Sequence, residues 1–77
     1  MIYLKNIRAL CGHILCEAFV EDCTAPVMLN LDVQTMKFEK YALPSDYKWC
    51  RDHFRKAETY LLNNLESLPT EHLLMWY

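Results

Sequence analysis

The chain has 77 residues, of which 53% are apolar and 23% are charged, so it is long enough for one small domain and apolar enough to fold. Its single glycine, Gly12, excludes phosphate-binding loops that need two or three glycines, and a formal charge of -2 provides no field that attracts a nucleic acid. No segment approaches the roughly 18 apolar residues of a membrane span. We therefore predict a single domain over residues 1–77, with no nucleic-acid or membrane partner.

The first 22 residues fit two patterns. Apolar residues recur at helical steps of three and four: Leu4, Ile7, Cys11, Ile14 and Ala18. Others alternate as in a strand: Ile14, Cys16, Ala18 and Val20. Because Gly12 costs a helix interior about 1 kcal/mol and Cys11-Gly12 suits a two-residue turn, we favour a hairpin over residues 2–20 and keep a helix as the alternative. The acidic residues near its end predict a solvated patch: Glu17, Glu21 and Asp22.

Residues 26–41 predict a second hairpin. Alternate residues are apolar, as in a strand with one buried face: Val27, Leu29, Leu31 and Val33. The alternation resumes with Met36 and Phe38 after Gln34-Thr35. Since Gln-Thr is poor turn chemistry, the position of this turn is open by one or two residues.

Residues 46–68 predict one long helix. Pro44 precedes Ser45, which can accept a hydrogen bond from a free helix amide, and Asp46 places negative charge at the positive end of the dipole. Apolar residues then follow at steps of three or four: Tyr47, Cys50, Phe54, Ala57, Leu61, Leu65 and Leu68. Pro69 ends this pattern.

The last residues, 70–77, predict a short strand at a sheet edge. Residues 73–77 are all large and apolar, and leaving each one in water forgoes about 1.5–3 kcal/mol. The predicted fold class is therefore α+β: an antiparallel sheet of four or five strands, one long helix of about residues 46–68 packed on one face, and a short C-terminal strand.

Both ends of the chain carry short recognisable segments, MIYLKNI at residues 1–7, LPTE at 68–71 and MWY at 75–77. In these the chain resembles short uncharacterised proteins of Gram-positive bacteria, some of them associated with mobile genetic elements. The resemblance implies a small antiparallel sheet, one helix and a last short strand. It implies no activity, cofactor or catalytic residue, and it raises the possibility of an inhibitor that mimics or blocks a host component. The present chain is richer in cysteine than that group.

The N-terminal segment does not fit a secretory signal. Lys5 and Arg8 precede an apolar stretch, but His13 and Glu17 interrupt it and no small-residue cleavage site follows. We therefore expect a cytoplasmic protein. In a reducing compartment its cysteines are expected to be thiols rather than disulfides: Cys11, Cys16, Cys23 and Cys50.

Two kinds of cysteine and histidine chemistry are conceivable. Cys50 and His53 are three residues apart on the predicted helix and could share one zinc ion or form a thiol nucleophile. The other zinc ligands could come from Cys11, His13 and Cys16. However, Cys50 belongs to the apolar stripe, and Cys11 and Cys16 point to opposite faces of a strand. We therefore predict no enzyme, no catalytic residue, no metal and no cofactor, and keep a zinc- or thiol-dependent protein as the alternative.

The predicted fold leaves apolar surface uncovered. A helix about 10 Å wide covers roughly two strands spaced about 4.8 Å apart, not four or five. Trp and Tyr are common anchors of interfaces. We therefore predict a small protein-interaction or regulatory module that binds itself, as a homodimer, or a host protein. Its candidate surface is formed by Trp49, His53, Tyr60, Leu15, Phe19, Met28, Trp76 and Tyr77.

Overall fold

The computed structural model describes residues 1–76. Within them, five strands and one helix follow one another: β1 (Ile2–Leu10), β2 (His13–Val20), β3 (Val27–Asp32), β4 (Lys37–Phe38), a 3₁₀ segment (Ser45–Cys50) that continues as α1 (Arg51–Asn63), and β5 (His72–Leu74). The strands form one antiparallel sheet in the order β4-β3-β2-β1-β5. The predicted α+β fold is confirmed, including the strand that the C-terminal segment adds at the sheet edge.

The turn between β1 and β2 decides between the two patterns of the N-terminal segment. Cys11 and Gly12 have φ angles of 48° and 82°. A type I′ turn needs positive φ at both central positions, and its twist matches that of two antiparallel strands. Leu10 and His13 pair across this turn. The predicted hairpin is therefore confirmed, and the helical alternative is wrong for these residues.

A bulge interrupts β1, and the residue after it forms a hydrogen bond to the segment before β5. The pairing register shifts between Lys5 and Arg8, and Asn6 has a φ of 53°. The extra residue lets Ile7 point into the core, where it is buried, although the alternation would otherwise turn it outward. The Ile7 amide donates to the Thr70 carbonyl at 2.8 Å. This bond holds the chain beside β1 just before β5 begins.

The strand β3 ends at Asp32, earlier than the alternation predicts. The Gln34 amide donates to the Asp32 carboxylate at 2.9 Å, and the Met36 amide donates to the Asp32 carbonyl at 2.8 Å. These bonds make a tight turn that includes Val33, with Met36 at a φ of 61°. Only Lys37–Phe38 then pair back onto β3, so β4 is much shorter than the predicted second strand of the hairpin.

The helix begins close to the predicted residue, but its first turns are irregular. The cap position falls on Pro44, which makes no side-chain capping bond, so the predicted role of Ser45 as the cap is wrong. Tyr47 interrupts the helical backbone with a φ of -125°. Its hydroxyl donates to the Asp22 carboxylate at 2.6 Å, which ties the start of the helix to the β2–β3 loop. This bond, with a smaller contribution from burial, raises the pKa of Tyr47 to about 12.

The helix ends at Asn63, not at residue 68. The Asn64 side-chain amide donates to the Tyr60 carbonyl at 2.7 Å, so it occupies the acceptor that the Asn64 backbone amide would use in another helical turn. That backbone amide bonds to the Leu61 carbonyl at 3.1 Å instead. Leu65, which the periodicity places on the buried stripe, consequently lies outside the helix and is 37% exposed.

The hydrophobic core lies between α1 and the face of the sheet that we call the inner face. The 3₁₀ segment and α1 together contribute four fully buried side chains, as the apolar stripe predicts: Cys50, Phe54, Ala57 and Leu61. The strands contribute alternate residues: Ile2, Leu4, Ile14, Cys16, Ala18, Val20, Val27, Leu29 and Leu31. The other, outer face of the sheet carries no element of residues 1–76.

Leu61→Ala and Leu65→Ala form a matched test of where the helix ends. We expect Leu61→Ala to lower the free energy of unfolding by about 2–5 kcal/mol, because it removes a fully buried side chain. Leu65→Ala should cost well under about 1 kcal/mol, because it changes a partly exposed side chain beyond the helix. Urea unfolding of both variants checks this. Equal losses would mean that the helix continues through Leu65.

Candidate functional site

The outer face of the sheet carries a group of apolar side chains from four strands. The register places Phe19 and Leu73 on either side of Tyr3, so these three form a row across β2, β1 and β5. Met28 of β3 pairs with Glu17 of β2 in the adjoining row. We define the outer apolar surface as Tyr3, Leu15, Phe19, Met28 and Leu73.

Exposure differs among these side chains. Met28 is 60% exposed and Leu73 is 44% exposed, whereas Tyr3, Leu15 and Phe19 are partly buried by their neighbours on the same face. The solvent-facing side of an antiparallel sheet usually carries polar and charged side chains, so this surface is unusually apolar. It matches the sequence prediction that Leu15, Phe19 and Met28 point away from the helix.

Polar groups surround this surface. The Tyr3 hydroxyl donates to Glu71 at 2.6 Å, and this bond raises the pKa of Tyr3. The Lys5 ammonium lies 5.3 Å from the centroid of the Tyr3 ring, within the range of a cation–π contact. In the backbone register Lys5 also stands directly opposite Glu17, across β1 and β2. The outer face therefore combines apolar side chains with charged ones, among them Lys5 and Glu17 side by side.

The aromatic residues predicted on the helix lie elsewhere in the molecule. The Trp49 ring meets the His53 ring edge-on at 5.5 Å between centroids, and Trp76 meets His53 from another direction at 4.8 Å. His53 is buried between them and is only 8% exposed, so it is not part of an exposed surface. Trp49 is 65% exposed. The predicted face of the helix is therefore a local aromatic cluster with a buried histidine at its centre.

The remaining predicted residues belong to neither group. Tyr60 stacks on His72 at 4.1 Å between ring centroids, on the side of the sheet that carries the helix. Tyr77 lies outside the described residues. The structure thus separates the predicted surface in two: Leu15, Phe19 and Met28 share the outer face, whereas the helical aromatic residues and Trp76 lie on the opposite side.

Glu21, which the sequence predicts to be part of a solvated patch, contacts His53 instead. Glu21 follows β2 with a φ of 49°, and its carboxylate lies 2.6 Å from His53 Nε2. The amino group of Met1 contacts the same carboxylate. His53 Nδ1 is buried and has no hydrogen-bond partner among residues 1–76. Only the fold brings Glu21 to the helix, because the two residues lie far apart in the sequence and no local pattern relates them.

The four cysteines do not form a zinc centre with the predicted histidines. Cys11 is exposed in the hairpin turn, His13 lies on the outer face, and Cys16 is buried on the inner face. Burial raises the pKa of Cys16 to about 11, and burial together with Glu21 raises the pKa of Cys50. A raised pKa makes a thiolate scarce near neutral pH, which is the opposite of what a nucleophilic cysteine needs.

A different set of possible metal ligands comes together at the end of the outer face away from Phe19. Within the described part of the chain, His13, Asp32 and Glu39 form the one group of three or more histidine, cysteine or carboxylate side chains whose ligand atoms lie within 4.8 Å of one another. We call this group the His13 cluster. It shares only His13 with the set that the sequence suggests.

Comparison with protein families, with curated proteins and with solved structures finds no match to this chain. Among residues 1–76, no helix combines the length and the apolar character needed to cross a bilayer. The side chains described above are therefore the basis for any functional proposal.

Alkylation of the native protein near about pH 8 should modify Cys11 first, because it is the exposed cysteine. Cys16 and Cys50 should react only after unfolding, since both are buried and both have raised pKa values. Mass spectrometry of peptides after timed treatment with iodoacetamide checks this order, with the denatured protein as the control. Fast labelling of Cys50 in the folded protein would contradict it and favour the thiol alternative.

Proposed function

We propose that this protein is a small interaction module that self-associates through the outer face of its sheet. The observation that carries the proposal is that one helix covers the inner face only, so the outer apolar surface faces solvent in the single chain. Burying a fully exposed side chain of the size of methionine or leucine contributes about 1.5–3 kcal/mol, and because Met28 is 60% and Leu73 44% exposed, each would contribute roughly half of that. A second sheet packed about 10 Å away would bury both.

The charges on the outer face are complementary to those on the outer face of a second copy of this chain. Lys5 and Glu17 lie side by side there, so a copy related by a two-fold axis can place its Glu17 near Lys5 and its Lys5 near Glu17. A partner with a face of one sign would leave one of these charges unpaired. The net charge of -2 also produces little repulsion between two copies.

The size of the face sets the expected affinity. The strands have 9, 8, 6, 2 and 3 residues, and at about 3.3 Å per residue and about 4.8 Å between strands they give roughly 440 Å² per copy. Two copies would bury roughly 900 Å², which is below the roughly 1,200 Å² of a stable specific interface and within the range of weak, transient contacts. We therefore propose a dimer that dissociates in the micromolar range, as suits a module whose assembly responds to its concentration. A host protein is the alternative partner for this face, and the test below distinguishes it from a second copy of the chain.

The proposed setting is the cytoplasm of a bacterial cell. The sequence expectation of a reducing compartment is supported by the four cysteines, each of which is a free thiol. The zinc- or thiol-dependent alternative built on Cys50 and His53 has less support, because the further ligands it requires are separated: Cys11 lies in the hairpin turn, His13 on the outer face and Cys16 on the inner face.

Met28→Lys should convert the dimer to a monomer at concentrations of about 10–500 μM, because it places a charge in the apolar contact. Met36→Lys is the matched control, since Met36 is 61% exposed, as Met28 is 60% exposed, but lies in the β3–β4 turn. Sedimentation equilibrium measures the mass. We expect the wild type and Met36→Lys to approach twice the chain mass of 9.2 kDa and Met28→Lys to stay near 9.2 kDa.

A wild-type mass of one chain over that whole range would rule out self-association and leave a host partner as the occupant. Dimers of both lysine variants would place the contact elsewhere on the molecule. Thermal unfolding of Met28→Lys checks that the monomer is folded, as expected for a change at a 60% exposed side chain.

A further inference from the structure

The outer face has a polar end as well as an apolar end. His13, the first residue of β2, pairs with Asp32, the last residue of β3. The amide of Glu39 donates to the Asn30 carbonyl at 2.7 Å, so Glu39 continues the β4 edge beside Asn30. Three neighbouring segments of the sheet therefore bring an imidazole, two carboxylates and a carboxamide to one place.

The side chains in this place are already arranged around the imidazole. His13 Nδ1 lies 2.7 Å from the Asn30 side-chain oxygen and 3.5 Å from the Glu39 carboxylate. Both contacts are made by the same ring nitrogen. A metal ion bound by His13 would therefore either replace the Asn30 contact at Nδ1 or bind Nε2 while Asn30 holds Nδ1, which is the usual arrangement in metal sites.

The two carboxylates have no positively charged lysine or arginine partner. Among residues 1–76, the single ion pair that involves Asp32 or Glu39 is the contact of Glu39 with His13. Lys37 pairs with Asp32 in the backbone ladder, yet their side chains form no ion pair. Two carboxylates without a compensating cation, beside a half-buried imidazole, form an environment that attracts a divalent cation.

We propose that the His13 cluster binds one divalent transition-metal ion, with Zn²⁺ as the ion it suits best. The ligands would be one ring nitrogen of His13 and one carboxylate oxygen each from Asp32 and Glu39, and water would complete four-coordination. An imidazole among the ligands favours zinc over magnesium or calcium, which prefer oxygen ligands alone.

The required movement is small. Tetrahedral ligands at about 2.0–2.2 Å from zinc lie roughly 3.3–3.6 Å from one another. The ligand atoms of the His13 cluster lie within 4.8 Å, so they must close by about 1–1.5 Å. Glu39 can make most of this movement, because its side chain is 53% exposed and extends from a segment beyond β4.

This site is independent of the proposed self-association. The His13 cluster lies at the end of β2 that is remote from Phe19, and its ligands all belong to one chain. The same titration on Met28→Lys, the expected monomer, should therefore still show one ion bound per chain. A loss of zinc binding and a loss of dimerisation are thus separate results.

Isothermal titration with Zn²⁺ tests the proposal. We expect one ion per chain for the wild type, and Asp32→Asn or Glu39→Gln should each weaken binding at least about tenfold, since even the loss of a hydrogen-bond partner of a ligand costs about 10–100-fold. Asn at position 32 keeps an oxygen that accepts the Gln34 amide, so the turn is preserved. Glu66→Gln, at another exposed glutamate, is the matched control and should bind normally.

Cys11 requires a second control, because it is an exposed thiol two residues from His13. Cys11→Ser should bind Zn²⁺ as the wild type does. The proposal is overturned if the wild type shows no saturable binding, if Asp32→Asn combined with Glu39→Gln retains it, or if Cys11→Ser alone abolishes it. Thermal unfolding in the presence of a chelator verifies that each variant is folded before zinc is added.

Discussion

One helix packed on one face of a five-stranded sheet is the constraint from which the other features follow. The helix supplies fully buried side chains such as Phe54 and Leu61, and the central strands must alternate so that residues such as Leu4 and Leu31 meet them. The alternate residues then face outward whatever their polarity. Because the chain contains no second helix among residues 1–76 to cover them, the outer face is the surface on which function can develop.

The parts of the fold that local patterns determine could be predicted from the sequence. Period-two alternation indicates β2 and β3. The residues 4–18 also fit a helical spacing, but Cys11 and Gly12 adopt positive φ in a two-residue turn, which a helix cannot contain. The four buried residues of the helix follow from their spacing alone. The side of the sheet on which Leu15, Phe19 and Met28 lie follows from the same alternation, so three of the five residues of the outer apolar surface were predictable from neighbours two residues apart.

The remaining features depend on contacts that sequence patterns do not carry. The helix ends because the Asn64 side chain competes for the Tyr60 carbonyl, although apolar residues continue at helical spacing through Leu65. His53 is buried because Glu21, which follows β2 and lies 32 residues earlier in the chain, supplies a partner for its Nε2. The His13 cluster likewise requires the pairing of β2 with β3 and the turn at Asp32. Each case joins polar groups through the tertiary fold, whereas periodicity reports only where apolar residues lie.

The division of the outer face into an apolar end and a polar end relates the two proposals. If two copies pack face to face, the axis that relates them determines whether the two His13 clusters lie far apart at the rim or approach each other. In the first arrangement zinc leaves the association constant unchanged, because it binds the monomer and the dimer equally. In the second, the ions held by the two clusters approach each other, and zinc then changes the association constant by the same factor by which dimerisation changes the zinc affinity. The dependence of the association constant on zinc therefore reports the orientation of the two sheets.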